Sequence, residues 1–346
     1  MPEQSARIQL GPAETAEVLK HFELPVVNEV RAYERGSRRS PKAIIRTIGG
    51  TYLLKRRAAG HDDPDRIRFQ HAVQIHLEQE ACPVAALIRT RRNGNTCVRR
   101  GSRVYELFEF VEGKRCDDTL GQVRSSGMAM ARMHDACMEW PDPVASGSGY
   151  HASGDVEQAL DRIVERFDDT KESCRALGAT FCAAQSRVDD LGWGDLPCTI
   201  VHGDWHPGNM LFSGDEVVAL LDFDSARSEP RISEFANGAL QFAMRSGSRG
   251  RAALPESPNL DAVCAMRCGY DSGTFEPLEY EERAMTPWLM IQAMIVEGVV
   301  PVAMRGRFGS VPGSVFIEHL RSASSWIEDN ATDVLEALNR SLGSNT

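Results

Sequence analysis

Residues 199–224 read TIVHGDWHPGNMLFSGDEVVALLDFD, two short apolar runs on either side of the turn Ser213-Gly214-Asp215. Runs of this kind bounded by turn-forming residues predict an antiparallel hairpin. Asn209 opens its first strand (Met210, Leu211, Phe212) and Asp222 closes its second (Val217, Val218, Leu220, Leu221). Opposed residues in such a pair lie about 4.5–5.5 Å apart at Cα, so an amide oxygen and a carboxylate are expected at the same end. Oxygen donors suit Mg2+, which keeps several waters and takes one or two protein carboxylates plus substrate phosphates.

Five residues before Asn209, Asp204 falls in a segment that Gly203, Pro207 and Gly208 keep from being helical. It adds a third oxygen group at the same mouth. An Asp beside a metal-phosphate site, and not needed as a ligand, is placed to accept a proton from an attacking hydroxyl.

Outside this hairpin the chain divides in two. From Val26 to Val111 it reads mainly as strands, VVNEVRAYERG, KAIIRTIGG, TYLLKRR, TCVRRG and VYELFEFV, interrupted by one helix. Asp62 or Asp63 caps that helix, Pro64 takes its first turn, Ile67, Val73, Ile75 and Leu77 supply apolar positions, and Pro83 stops it. After Gly113 the pattern turns helical, with Met128, Ala131, Met133 and His134 in one segment and Val156, Leu160, Ile163, Val164 and Phe167 in another. The reading is an α+β chain with a small antiparallel sheet lobe over 1–112 and a larger, mainly helical lobe over 113–346 that contains the hairpin. Gly- and Ser-rich stretches at 141–154 and 246–258 read as loops.

The 346 residues carry a net charge of −10, unevenly spread. Residues 1–112 hold 19 Lys and Arg against 14 Asp and Glu, a balance of +5, and the remainder stands at −15. A basic first lobe suits a polyanion such as a nucleotide, and an acidic second lobe suits a neutral or cationic second ligand. The acidic total and the lack of a basic-aromatic surface motif argue against general nucleic-acid binding. No signal-peptide or membrane pattern is read; the most apolar late stretch is broken by Gln292 and Glu297. Nine cysteines without a paired C-x-x-C do not make a secreted disulfide framework, so a reducing cytoplasm is expected.

The run His202-Gly203-Asp204-Trp205-His206-Pro207-Gly208-Asn209, followed by Leu221-Asp222-Phe223-Asp224, resembles the aminoglycoside phosphotransferase and choline kinase family. The resemblance extends more weakly from about Val26 to Phe242. It implies a two-lobed protein-kinase-like fold, with ATP lying between the lobes and its γ-phosphoryl group passing to a hydroxyl of a small molecule. It implies Asp204 as catalytic base and Asn209 and Asp222 as ligands of Mg2+, with Asp224 in a structural role. Lys55 in TYLLKRR resembles the strand lysine on the α- and β-phosphates, where positive charge is needed because phosphoryl transfer rests on positioning and electrostatics. Tyr105–Gly113 resembles the strand and hinge that meet adenine, through the Glu109 carbonyl and the Val111 N–H. His134 is read as structural.

Two departures stand out. The turn Gly36-Ser37-Arg38-Arg39-Ser40 has one glycine and is no G-x-G-x-x-G phosphate cradle. The helix position that usually offers Glu to the strand lysine falls on Gln70, which can hydrogen-bond Lys55 but not pair its charge. Two other readings compete. His202, Asp204 and His206 could serve a zinc hydrolase, but convergence of the two histidines needs a helix that Pro207 and Gly208 oppose. The Gln70 departure motivates a catalytically inactive, kinase-like nucleotide-binding module; the presence of Lys55, Asp204, Asn209 and Asp222 together speaks against it. The acceptor itself is not legible, beyond a tilt toward a cationic molecule from the −15 balance. That tilt is weakened by screening over about 8–10 Å at physiological salt.

Overall fold

A computed structural model of the chain describes residues 8–34, 36, 39–140, 149–151, 153–245 and 254–341. Ser37 and Arg38 of the glycine-poor turn, and much of the loops 141–154 and 246–258, lie outside these residues. The chain forms two compact units: residues up to Lys114 together with Val218–Asp224, and Arg115–Val217 together with the chain from Ser225 onward. The end of the hairpin therefore packs with the first unit, whereas the sequence reading kept all of 199–224 in the second lobe. Its attachment is specific: Leu220 forms a parallel bridge to Val84 and donates its N–H to the Pro83 carbonyl at 2.6 Å.

The first unit opens with α1 (Pro12–Leu19), a helix that the sequence reading did not include. Next come β1 (Val27–Tyr33), β2 (Lys42–Thr47), β3 (Gly50–Arg56), α2 (Pro64–Gln79), β4 (Val98–Arg100) and β5 (Arg103–Glu109). The strands make one antiparallel sheet in the order β1-β2-β3-β5-β4. Alternation sends successive side chains to opposite faces. Ala43, Ile45, Leu54, Tyr105 and Leu107 join Val18 and Phe22 in an apolar core. Lys42, Lys55 and Glu106, one residue out of phase, fall on the other face in cross-strand register. There α2 brings Gln70 and His71, both buried. Asp63 caps α2, accepting the Arg66 N–H at 2.8 Å, and Pro64 stands in its first turn, as the sequence indicated.

The second unit contains α3 (Leu120–Ala136), α4 (Asp155–Arg166), α5 (Lys171–Asp190), β6 (Cys198–Val201) and β7 (Met210–Ser213), with β8 (Glu216–Leu220) beginning in it. It continues through β9 (Arg227–Pro230), α6 (Arg231–Ala243), α7 (Leu260–Gly273), α8 (Tyr280–Arg305), β10 (Arg307–Phe308), β11 (Val311–Pro312), α9 (Gly313–Asp329) and α10 (Ala331–Asn339). β7 and β8 form the expected hairpin. β6 and β9 pair antiparallel just outside it, a ribbon that the sequence reading missed because each strand is only four residues long. By length and composition α8 is apolar enough to cross a membrane. It is the central helix of this unit, packed by α4, α5, α6, α9 and α10. That packing explains an apolar sequence around most of its circumference.

Candidate active site

In the first unit, the basic run Lys55-Arg56-Arg57 is sorted by strand alternation. Arg56 turns to Glu14 at 2.6 Å, while Lys55 and Arg57 share the opposite, buried face. Lys55 Nζ lies 2.9 Å from Asp222 Oδ1, 3.1 Å from Asp224 Oδ2 and 3.8 Å from Glu106 Oε2. Arg57 pairs with Glu106 and reaches Asp224 at 3.2 Å. Burial works to lower the Lys55 pKa, but Asp222, Glu106 and Asp224 outweigh it and hold the amine above its ordinary value. Burial likewise works to raise Glu106, yet Lys55, His71 and Arg57 bring it down to about 2. Lys42, across the ladder from Lys55, is lowered by burial and by the Lys55 charge, with Asp222 opposing. Asp222 adopts a left-handed backbone, φ 70°, which L residues other than Asn and Asp rarely take.

The sequence reading expected Gln70 beside Lys55. Its amide instead bridges Arg57 and the segment after β8: Oε1 accepts from Arg57 Nη1 at 2.8 Å, and Nε2 donates to the Asp224 carbonyl at 2.6 Å. Glu109 ends β5 with its N–H donated to the Ala86 carbonyl at 2.9 Å, and Phe110 N–H donates to Thr51 at 3.0 Å. Those bonds fix the strand end leading to Val111.

In the second unit, Asp204 occupies an irregular loop between β6 and β7. Gly203 before it has φ 78°, and a Cβ there would meet the Ser225 carbonyl at 2.3 Å, so the turn requires glycine. The loop is tied to buried acid. Glu234 on α6 accepts the His202 and Gly203 N–H groups at 3.0 and 2.6 Å. His134 Nε2 contacts Glu234 at 2.9 Å and its Nδ1 contacts the Tyr270 hydroxyl at 2.9 Å, a structural role of the kind expected for His134. Arg227 donates to the Gly203 carbonyl at 3.2 Å. Trp205 is core, with its indole N–H on Ser126 Oγ at 2.9 Å.

Asn209 Nδ2 donates to the Asp204 carboxylate at 2.8 Å and to its carbonyl at 3.0 Å. With the nitrogen committed, the amide oxygen is the atom of Asn209 left to meet a cation. His206 Nε2 lies 3.6 Å from Asp204, while its Nδ1 accepts the Gly208 N–H at 2.9 Å. Burial works to raise Asp204, but the His206 contact and charge, then the His202 charge and the Asn209 amide, leave it below the ordinary carboxylate range. It is ionised at neutral pH, as a proton acceptor must be.

A second polar group lies within reach of the Asp204 charge. Glu297 on α8 accepts from the Tyr150 hydroxyl and the Gln241 amide. Tyr150 in turn accepts from Asn237 Nδ2 at 3.2 Å. Burial pushes Glu297 above its ordinary value and the Asp204 charge adds to it. Asn237, 2% exposed, keeps an Oδ1 with no hydrogen-bond partner among the described residues.

Glu106, Glu234 and Glu297 are the side chains that sequence reasoning missed. Glu106 had a usable signal, an acid at an inward position of an otherwise apolar strand; the other two lie in helices with no local mark. Among the described residues no group of three or more His, Cys, Asp and Glu side chains could hold a metal ion, which leaves the zinc reading of His202, Asp204 and His206 without support.

Residues 30–261 match the profile of the phosphotransferase enzyme family. A homoserine kinase from Rhodopseudomonas palustris (strain BisB5) is 27% identical over 223 residues, 61% of this chain and 62% of that protein. The chain thus spans a little under two thirds of that relative's length. Two solved structures share the fold. A microcompartment-associated aminopropanol kinase has a TM-score of 0.69 at 15% identity, covering 94% of this chain and 99% of that one. An amicoumacin kinase in complex with AMP-PNP, Ca2+ and Ami has a TM-score of 0.66 at 14% identity, covering 92% of each. The architecture is therefore that of protein-kinase-like small-molecule kinases.

Proposed function

The chain belongs to the phosphotransferase enzyme family, and from that premise we propose that it is a cytoplasmic, ATP-dependent kinase acting on a hydroxyl of a small molecule. The observation that carries the reading is the meeting of Lys55 with Asp222 and Asp224 at 2.9 and 3.1 Å. A lysine held against the acid assigned to the metal is what a metal-nucleotide site needs before its ligand arrives. In this reading Lys55 takes the α- and β-phosphates, and the Glu109 carbonyl and Val111 N–H meet adenine. Asp222 and Asn209 would hold Mg2+, which when bound neutralises charge on the phosphates.

Asp204 orients the acceptor hydroxyl and takes its proton. The acceptor oxygen then forms a bond to the γ-phosphorus as the bond from that phosphorus to the β,γ-bridging oxygen breaks, releasing ADP. The lowered pKa of Asp204 suits an orienting carboxylate that receives the proton late, as charge moves onto the transferred group.

The acceptor in this reading is cationic. Glu297 and ionised Asp204 lie within electrostatic reach of each other, and the Oδ1 of Asn237, which is linked to Glu297 through Tyr150, has no hydrogen-bond partner among the described residues; acceptors of this kind suit an ammonium with its three N–H donors. Homoserine and aminopropanol, the compounds in the names of two similar proteins, each join an amine to an alcohol. The test is a mass-spectrometric search for phosphoryl gain across amino alcohols, neutral sugars and aminocyclitols with ATP and Mg2+. Gain on amine-bearing alcohols supports the reading; ATP and Mg2+ binding with no product on any of them favours a catalytically inactive nucleotide-binding module.

A further inference from the structure

Lys55 Nζ is surrounded by three carboxylates that differ in what else they can do. The Asp222 and Asp224 side chains are 35% and 23% exposed, that of Glu106 1%. Asp222 is the acid assigned above to the metal, and a carboxylate engaged with a divalent ion gives less to a neighbouring amine. Asp224 is shared with Arg57. Glu106 is sealed from solvent, so its charge is turned to the groups around it.

Its position is fixed from two directions. Glu106 stands directly opposite Lys55 in the β3–β5 ladder, which sets their spacing through backbone hydrogen bonds. Its Oε1 is held by Arg57 and by His71 Nε2 at 2.7 Å, and His71 is anchored through Nδ1 to Thr96 Oγ1 at 2.6 Å. Oε2 has no hydrogen-bond partner among the described residues and faces Lys55 Nζ at 3.8 Å. A buried carboxylate oxygen left without a hydrogen bond is destabilising, the more so when the group is charged. A shift of Nζ by roughly 1 Å toward Oε2 would bring it into hydrogen-bond range.

We propose that Glu106 is the positioning residue of the nucleotide site: it takes Lys55 over from Asp222 and Asp224 when Mg·ATP engages them, in place of a helix glutamate at Gln70. The proposal rests on the reading of Lys55 as a phosphate-binding residue. The pair itself is built within one sheet; α2 supports it through His71 on Glu106 and otherwise contributes Gln70 to Arg57 and to the Asp224 carbonyl. The Gln70 departure therefore ceases to argue for an inactive module.

The test compares binding of Mg·AMP-PNP to the full chain in four forms: unsubstituted, K55M, E106Q and E106D. K55M establishes whether Lys55 binds nucleotide at all; a K55M variant with unchanged affinity would sink the reading of Lys55 and not the choice of its partner. Given a K55M loss, E106Q is expected to weaken binding about tenfold and E106D, with a shorter reach, about threefold. Affinities of both within twofold of the unsubstituted chain would overturn the proposal. Should E106Q fail to fold, E106D decides alone on the same terms. Adenosine, which carries no phosphate, separates positioning from general damage: its affinity should be unchanged in E106Q and E106D, and a loss equal to that of Mg·AMP-PNP would mean a merely structural role and would overturn the proposal.

Discussion

Asn209 holds Asp204 through both the side chain and the main chain, with Nδ2 at 2.8 Å from Oδ2 and 3.0 Å from the carbonyl. The two residues that the sequence assigned separately, one to metal and one to proton transfer, are mechanically one. N209D keeps an oxygen donor but sets a second carboxylate against Asp204. The Asp204 pKa should rise, and the acidic limb of the pH–rate profile should move toward neutral pH. N209A should lose both functions and lower kcat by about 10²-fold or more, within the range that general-base placement contributes. An N209D profile superimposable on that of the unsubstituted enzyme would show that the contact does not set the base.

Glu234 offers a second handle on the same loop. Its carboxylate binds two backbone N–H groups and His134, all buried, and its pKa lies below the ordinary value because His134 and these contacts outweigh burial. E234A leaves those buried donors without an acceptor, at a cost of about 1–3 kcal/mol for each group left unpaired. Urea denaturation measures it. E234Q should retain more stability than E234A, since its amide oxygen can still accept one of the N–H groups.

Glu297 separates acceptor recognition from nucleotide binding. With a cationic acceptor, E297Q should raise the acceptor KM by about tenfold, the scale of a charge-assisted hydrogen bond of about 1.5 kcal/mol, and leave Mg·ATP affinity unchanged. Acceptor KM unchanged in E297Q would remove this group from the acceptor site.

Glu106 also predicts an acid response. Its pKa is about 2 in the folded chain against 4.5 ordinarily. Between these values the unfolded chain binds more protons, so its contribution to stability is full above pH about 4.5 and is lost as the pH falls toward 2. The E106Q variant should be less stable at neutral pH and show a shallower decline of stability over that window. Parallel stability curves for the two proteins would contradict the assignment.

Much of this was legible in the sequence because it rests on short-range patterns. The hairpin, the cap at Asp63 and the alternation of the β3 and β5 strands are local, and the Gly203–Asn209 run carries its own turn residues. What was not legible is set by tertiary contact. Lys55 and Arg57 are told from Arg56 only by strand phase. The partners Glu106 and Glu234 are 51 and 32 positions away from Lys55 and His202 in the numbering, and nothing in the intervening chain announces them. Gln70 was placed on the right helix, yet its amide reaches Arg57 and Asp224, since helix periodicity does not specify which strand residue a side chain will meet.

The central claim is that Asp204 accepts the proton of the attacking hydroxyl. Single-turnover transfer from radiolabelled ATP to an accepted amino alcohol, measured for the unsubstituted chain and D204A alongside Mg·ATP affinity, tests it most directly. The account predicts affinity within about twofold and transfer slowed by about 10²–10⁴-fold in D204A. Transfer at the unsubstituted rate in D204A would contradict it.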